Sequence, residues 1–192
     1  MSRVLFAVLL LAAAPAFAEA RAWEFRVFLE EREIGRHRFI LSGQGAQREL
    51  RSEARFDVRI LRIPAYRYRH DALEHWRGDC LVSLSATTDD NGEPSGVDWR
   101  GSAGACDMSF AYWNPRILQA RRLLNAQTGE VVPVTVTGQG EETVEVRGQP
   151  VLAQRYRLSG PKLTIDLWYA GGEWVALQSE TSGGRRLFYR LM

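Results

Sequence analysis

Leu50-Arg51-Ser52-Glu53-Ala54-Arg55-Phe56-Asp57-Val58-Arg59-Ile60 decides the fold class. Leu50, Ala54, Phe56, Val58 and Ile60 alternate with Arg51, Glu53, Arg55, Asp57 and Arg59, a period of two rather than that of a helix. Such a strand turns one apolar face to a core and one charged face to water. Sliding its register by one residue would bury all the charges, so the register is fixed.

The same period extends in both directions. Trp23, Phe25, Val27 and Leu29 form an apolar stripe opposed by Glu24, Arg26 and Glu30. A Glu31-Arg32 tip then turns the chain back through residues 34–41 as a hairpin. Toward the C-terminus, strands are expected at 132–137, 143–147, 151–158, 163–169, 174–178 and 186–191. Turn chemistry separates them at Gly138-Gln139-Gly140, Gly148-Gln149-Pro150, Ser159-Gly160-Pro161, Gly171-Gly172 and Gly183-Gly184. Asp89-Asp90-Asn91-Gly92 adds a further turn, because Asn-Gly favours positive φ.

One segment breaks the alternation. Asn114 can cap a helix, Pro115 suits its first position, and Ile117, Leu118 and Leu124 follow, which predicts one short helix over 115–124. The expected fold is therefore all-β: an antiparallel meander of roughly eleven or twelve strands, curled into a barrel or half-barrel, with that helix plugging the open side. Residues 19–192 read as a single β-rich domain.

Residues 1–18 have a different character. Arg3 precedes an apolar run from Val4 to Ala14, and Ala16-Phe17-Ala18 supplies the small-x-small ending of a secretory signal peptide. The run is shorter than the ~20 residues of a membrane-spanning helix, and no transmembrane segment is expected in the mature chain. Cleavage after Ala18 and a periplasmic location follow as expectations. Loss of Arg3 takes the formal charge from +2 to +1, with 24 basic and 23 acidic residues remaining. That balance argues against a nucleic-acid partner, which needs concentrated basic surface. Lys162 is the lone lysine and follows a Gly-Pro turn, a poor setting for amine catalysis.

Cys80 and Cys106 are the two cysteines, and export to an oxidising compartment suggests that they pair. A hairpin-like return through Asn91-Gly92 can bring them within the ~4.4–6.8 Å Cα separation of a disulfide.

Elbow-serine, Walker, zinc-protease and dinucleotide signatures are not found, and no cofactor is called for. The best constellation runs from Tyr66 to Trp76. On a strand, Tyr66, Tyr68, His70, Glu74 and Trp76 share one face, while Arg67, Arg69, Asp71 and His75 share the other. Burial on the aromatic face would raise the Glu74 pKa and tune His70, the setting that acid–base chemistry needs. Equally, both groups can serve as hydrogen-bonded structural polar residues, which any buried polar group must become. No metal site is expected, because His70 and His75 diverge and only His37 remains. Before the predicted helix, Phe110, Tyr112 and Trp113 read either as a lid over an apolar cavity or as a cap closing the sheet's end.

Tyr66-Arg67-Tyr68-Arg69-His70, residues 86–92 (ATTDDNG), Tyr112-Trp113-Asn114-Pro115, Leu124-Asn125-x-x-Thr128-Gly129 and Asp166-Leu167-Trp168-Tyr169 resemble, in this order, a family of exported proteobacterial proteins classified as a domain of unknown function. The resemblance spans nearly the whole mature chain and implies a β-rich exported domain. It transfers no catalytic residue. A looser likeness links the architecture to open β-barrels that carry lipid or lipoprotein acyl chains across the periplasm.

These readings converge on an exported protein that cradles an apolar or lipid-like ligand in a curved sheet, with Tyr66, Tyr68, His70, Glu74, Trp76, Tyr112 and Trp113 as candidate ligand contacts. Two alternatives stand beside it: an envelope enzyme using His70 and Glu74, and an assembly protein that recruits an envelope partner through a sheet edge.

Overall fold

The structure, a computed structural model, describes residues 20–61, 63–181 and 183–192; the leader expected over 1–18 lies outside them. The strands are β1 (Arg21–Leu29), β2 (Arg32–Gln44), β3 (Gln47–Ile60), β4 (Ile63–Arg77), β5 (Cys80–Asp90) and β6 (Glu93–Arg100). After a long connection they resume as β7 (Arg122–Leu124), β8 (Val131–Pro133), β9 (Thr135–Val146), β10 (Gln149–Gly160), β11 (Leu163–Ala170), β12 (Glu173–Glu180) and β13 (Arg186–Leu191). Eleven of them form one antiparallel sheet in the order β6-β5-β4-β3-β2-β1-β13-β12-β11-β10-β9, and β7 pairs with β8 beside it.

The meander follows from the turn residues. Asn91 and Gly92 both take positive φ between β5 and β6, as do Arg147 and Gly148 between β9 and β10. Such turns twist with the flanking strands and hold two-residue hairpins. From β1 to β6 and from β9 to β13 each strand thus pairs with its neighbour in sequence, and the additional pairing of β1 with β13 joins the two halves. The open edges are β6 and β9. At one end the turn after β9 curls back to β13: the Arg147 N–H donates to the Leu191 carbonyl at 3.0 Å. The sheet is therefore a coiled, incompletely closed barrel.

Its concave face carries the core. Trp23, Phe25 and Val27 of β1 are buried, as are Leu50, Ala54 and Phe56 of β3, while Arg51, Glu53, Arg55 and Asp57 face water. The connection between β6 and β9 lies against this face. Tyr112 packs on Trp174 with ring centres 5.3 Å apart, and Trp113 meets Trp76 edge-on at 5.4 Å. Cys80 and Cys106 form a disulfide, Cα atoms 4.6 Å apart, that ties the start of this connection to β5.

Two local expectations are corrected. The helix over 115–124 is a 3-10 turn over Pro115–Gln119, capped by the Asn114 side chain accepting from the Arg116 N–H at 3.1 Å. It stops there because Leu123 and Leu124 are both buried as strand residues, and the Leu124 N–H is committed to the Met108 carbonyl at 2.8 Å. Gly138-Gln139-Gly140 is a bulge within β9 rather than a turn: Arg155 pairs with Gly140 and Tyr156 with Gly138, leaving Gln139 unpaired.

Candidate ligand-binding cavity

Between the concave sheet and the 110–127 segment lies a cavity of about 290 Å³. Its aliphatic wall includes Leu50, Leu163, Ile165 and Leu177; Phe110 and Tyr112 of the connection cover it. The remaining lining is polar and arises from strand register. His37 of β2 pairs with Ala54 of β3, Ala54 with His70 of β4, and His70 with Thr88 of β5, so the two imidazoles lie in one row across the sheet. The small Ala54 between them leaves room for both rings.

Several polar groups in this wall have side-chain partners. His37 Nε2 lies 2.7 Å from Ser52 Oγ, and its Nδ1 lies 3.4 Å from the Tyr189 hydroxyl. His70 Nδ1 lies 2.9 Å from Thr88 Oγ1. The Trp76 indole N–H donates to Glu74 Oε2 at 2.9 Å, and Ser109 Oγ sits beside the same carboxyl without a hydrogen bond of normal geometry. At the rim, the Gln127 side-chain amide donates to the Tyr68 hydroxyl.

Burial sets the electrostatics. It raises the Glu74 carboxyl to about 7, against the weaker opposing effects of Ser109 and Trp76. It presses His37 down to about 3, helped by His70 and Arg55, and it lowers His70 as well. The Tyr68, Tyr112 and Tyr189 phenols are raised above their ordinary range by the same desolvation. With Glu74 protonated and His37 neutral, the wall is polar and without formal charge.

Ser52 and His37 have the separation of a nucleophile and its base. Two features distinguish the pair from an activated hydrolytic serine. Desolvation makes His37 a weak base, and Ser52 lies mid-strand, paired with Phe39 on one side and Ala72 on the other. The surrounding main-chain N–H groups are thus committed to the ladder rather than to an oxyanion. Among the described residues, no group of three His, Cys, Asp or Glu side chains is placed to hold a metal ion.

Of the residues singled out from sequence, Tyr68, His70, Glu74 and Tyr112 line the cavity. Trp76 and Trp113 lie behind it as a buried pair, with the Arg48 guanidinium over the Trp113 ring at 4.8 Å. Tyr66 is exposed on the outer reach of β4. His75 points outward, 3.8 Å from Glu49. The Phe110–Trp113 block unites both sequence readings, since Tyr112 covers the cavity while Trp113 seals the core. Sequence reasoning missed His37, Ser52 and Tyr189. Ser52 carried a signal: it is the polar member of the apolar row Leu50, Ser52, Ala54, Phe56.

Fold and cavity define an all-β, barrel-like protein with an amphipathic interior. The chain belongs to the DUF6134 family, a domain of unknown function, whose profile matches residues 25–192. No curated protein matches it. Among solved structures it is similar to the β-barrel-like protein of domain of unknown function DUF1849 from Brucella abortus, with a TM-score of 0.59 at 10% identity over 89% of this chain and 94% of that one. At that identity the likeness carries the fold alone.

Proposed function

We propose that this protein is a binder, not a catalyst, that holds one small apolar or amphipathic molecule in the concave cavity. The observation that carries this reading is the lining: an aliphatic wall faces hydrogen-bonding groups whose charges burial suppresses. A charged headgroup would find no counter-ion there, whereas an uncharged group on an apolar chain finds both packing and hydrogen bonds. The volume lies near the lower end of the ~300–1,000 Å³ typical of small-molecule sites, which suits a single acyl chain or a molecule of similar bulk better than a whole phospholipid. The leader-like residues 1–18 support a periplasmic setting for this binding.

Titration with the neutral fluorescent probe N-phenyl-1-naphthylamine tests the reading. Saturable binding to the wild type is expected, with at least a tenfold loss in Ala126→Phe, which projects a ring from the connection into the cavity. Absence of saturable binding, or binding unchanged in a folded Ala126→Phe protein, contradicts it.

A further inference from the structure

The β3–β4 hairpin outruns the sheet. Pairing of β3 with β2 ends at Phe56, opposite Gly35, and pairing of β4 with β5 ends at Tyr68, opposite Asp90. Beyond these points Asp57 pairs with Arg67, Val58 with Tyr66, Arg59 with Pro64 and Ile60 with Ile63. The Arg67 carbonyl still accepts from the Asn91 N–H at 2.7 Å and the Arg67 N–H donates to Asn91 Oδ1 at 3.2 Å, so among the described residues only the stretch beyond Arg67 has no third strand or turn bonded to its main chain. At the rise of a β-strand this arm projects roughly 10 Å. A two-stranded ribbon is marginal in water by itself. Arg69 braces its base on Asp57 at 2.9 Å, and Arg67 on Asp89 at 2.9 Å.

Near its tip the arm carries apolar side chains that are exposed among the described residues. Leu61 is 90% exposed and Ile63 68% exposed, with Tyr66 exposed behind them. Among the described residues seven large apolar side chains are exposed, and these three share one arm while the others are scattered over separate elements. The sequence from 59 to 69 contains no acidic residue, and Arg59 has no ion pair among the described residues. At its root, Tyr68 stacks on Phe56 at 5.4 Å and lines the cavity.

We infer that this arm is a membrane-docking device: Leu61 and Ile63 enter the interfacial layer of a lipid bilayer while Tyr66 and Arg59 lie at headgroup level. Aliphatic tips backed by an aromatic and an arginine match the layering of that interface, which anchored segments enter by ~5–10 Å. The unpaired Arg59 favours anionic headgroups. A convex tip suits a fluid lipid surface; a stable protein interface needs ~800 Å² per partner, far more than two side chains at a hairpin end can offer. Docking in this orientation puts the Tyr68–Gln127 rim of the cavity on the side of the molecule nearest the membrane.

Vesicle flotation with the protein recovered from its own cells tests the inference. The wild type is expected to float with phosphatidylcholine vesicles containing phosphatidylglycerol and more weakly with phosphatidylcholine alone. The double variant Leu61→Ser, Ile63→Ser should lose at least tenfold in vesicle affinity while retaining N-phenyl-1-naphthylamine binding, a readout that belongs to the cavity alone. In Leu61→Trp, fluorescence should shift to the blue on vesicle addition and be quenched by brominated lipid. A wild type that stays free of both vesicle types overturns the inference. So does a double variant that floats as the wild type does, a Leu61→Trp emission unmoved by lipid, or an arm that instead drives concentration-dependent dimerisation without vesicle binding.

Discussion

The Trp76 indole N–H and the Glu74 carboxylate meet at 2.9 Å within one strand, both buried, at the back wall of the cavity. A single donor does not replace the hydration a carboxylate loses, so the protonated form is favoured and the pKa rises to about 7 from 4.5. The linkage has a definite sign. The native state holds its proton where the unfolded chain has released it, so the contribution to stability is full below pH 4.5 and falls away as pH rises through 7. The full effect is about 3 kcal/mol. Glu74→Gln, which keeps an acceptor for Trp76, should therefore melt several degrees above wild type at pH 8.5 and close to it at pH 4. Equal offsets at both pH values would refute a buried titrating carboxyl.

His37 predicts the opposite limb. Its folded-state pKa, about 3 against 6.5, means that stability present above 6.5 is lost as pH falls toward 3. His37→Gln retains a partner for Ser52 and cannot titrate. In urea unfolding, the loss between pH 7.5 and pH 3.5 should shrink by roughly 2–4 kcal/mol relative to wild type. An unchanged acid limb would show that His37 is solvated.

On the convex face, Asp166 is buried and accepts from Arg155 at 2.7 Å and from Arg157 at 2.9 Å. Burial alone would raise its pKa, but the two arginine bonds together outweigh it and the carboxyl titrates below its ordinary range. Asp166→Asn leaves Arg157 without its anion and Arg155 with Glu142 alone, and should cost about 2–4 kcal/mol. Urea denaturation measures it; a loss below about 0.5 kcal/mol would mark the cluster as an ordinary surface pair.

The strands were legible in the sequence because one face is charged: β3 needs nothing beyond Arg51, Glu53, Arg55 and Asp57 to fix which residues turn inward. The Asn114 cap was legible for an equally local reason, and the disulfide from the two cysteines and the chain return at Asn91-Gly92 between them. The polar row was not. His37, Ala54 and His70 meet only through the pairing of three strands, and alternation within one strand says nothing about which row of its neighbour it faces. Gly35 and a register shift near Phe28 further blur the period of β2. The 3-10 turn misled because a cap and a proline announce where a helix begins, whereas its end was set by Leu123 and Leu124 pairing as β7 with Val132 and Val131 of β8.

Breaking the Cys80–Cys106 bond should loosen the connection that covers the cavity. Loop-closure entropy for this separation of 26 residues amounts to roughly 3–4 kcal/mol. The paired variant Cys80→Ser, Cys106→Ser is expected to lose about that much in urea unfolding and to become sensitive to proteolysis near residues 101–107. Full retention of stability and protease resistance would show that packing of Trp113 on Trp76 holds the segment unaided.

Native mass spectrometry tests the central claim most directly, applied to protein released from its own cells without detergent. The account predicts a one-to-one adduct that organic extraction removes and identifies as an uncharged, apolar or amphipathic small molecule, and that is lost in Ala126→Phe. A wild-type protein that is uniformly bare, and that stays bare after incubation with the extracted lipids of the same cells, would contradict it.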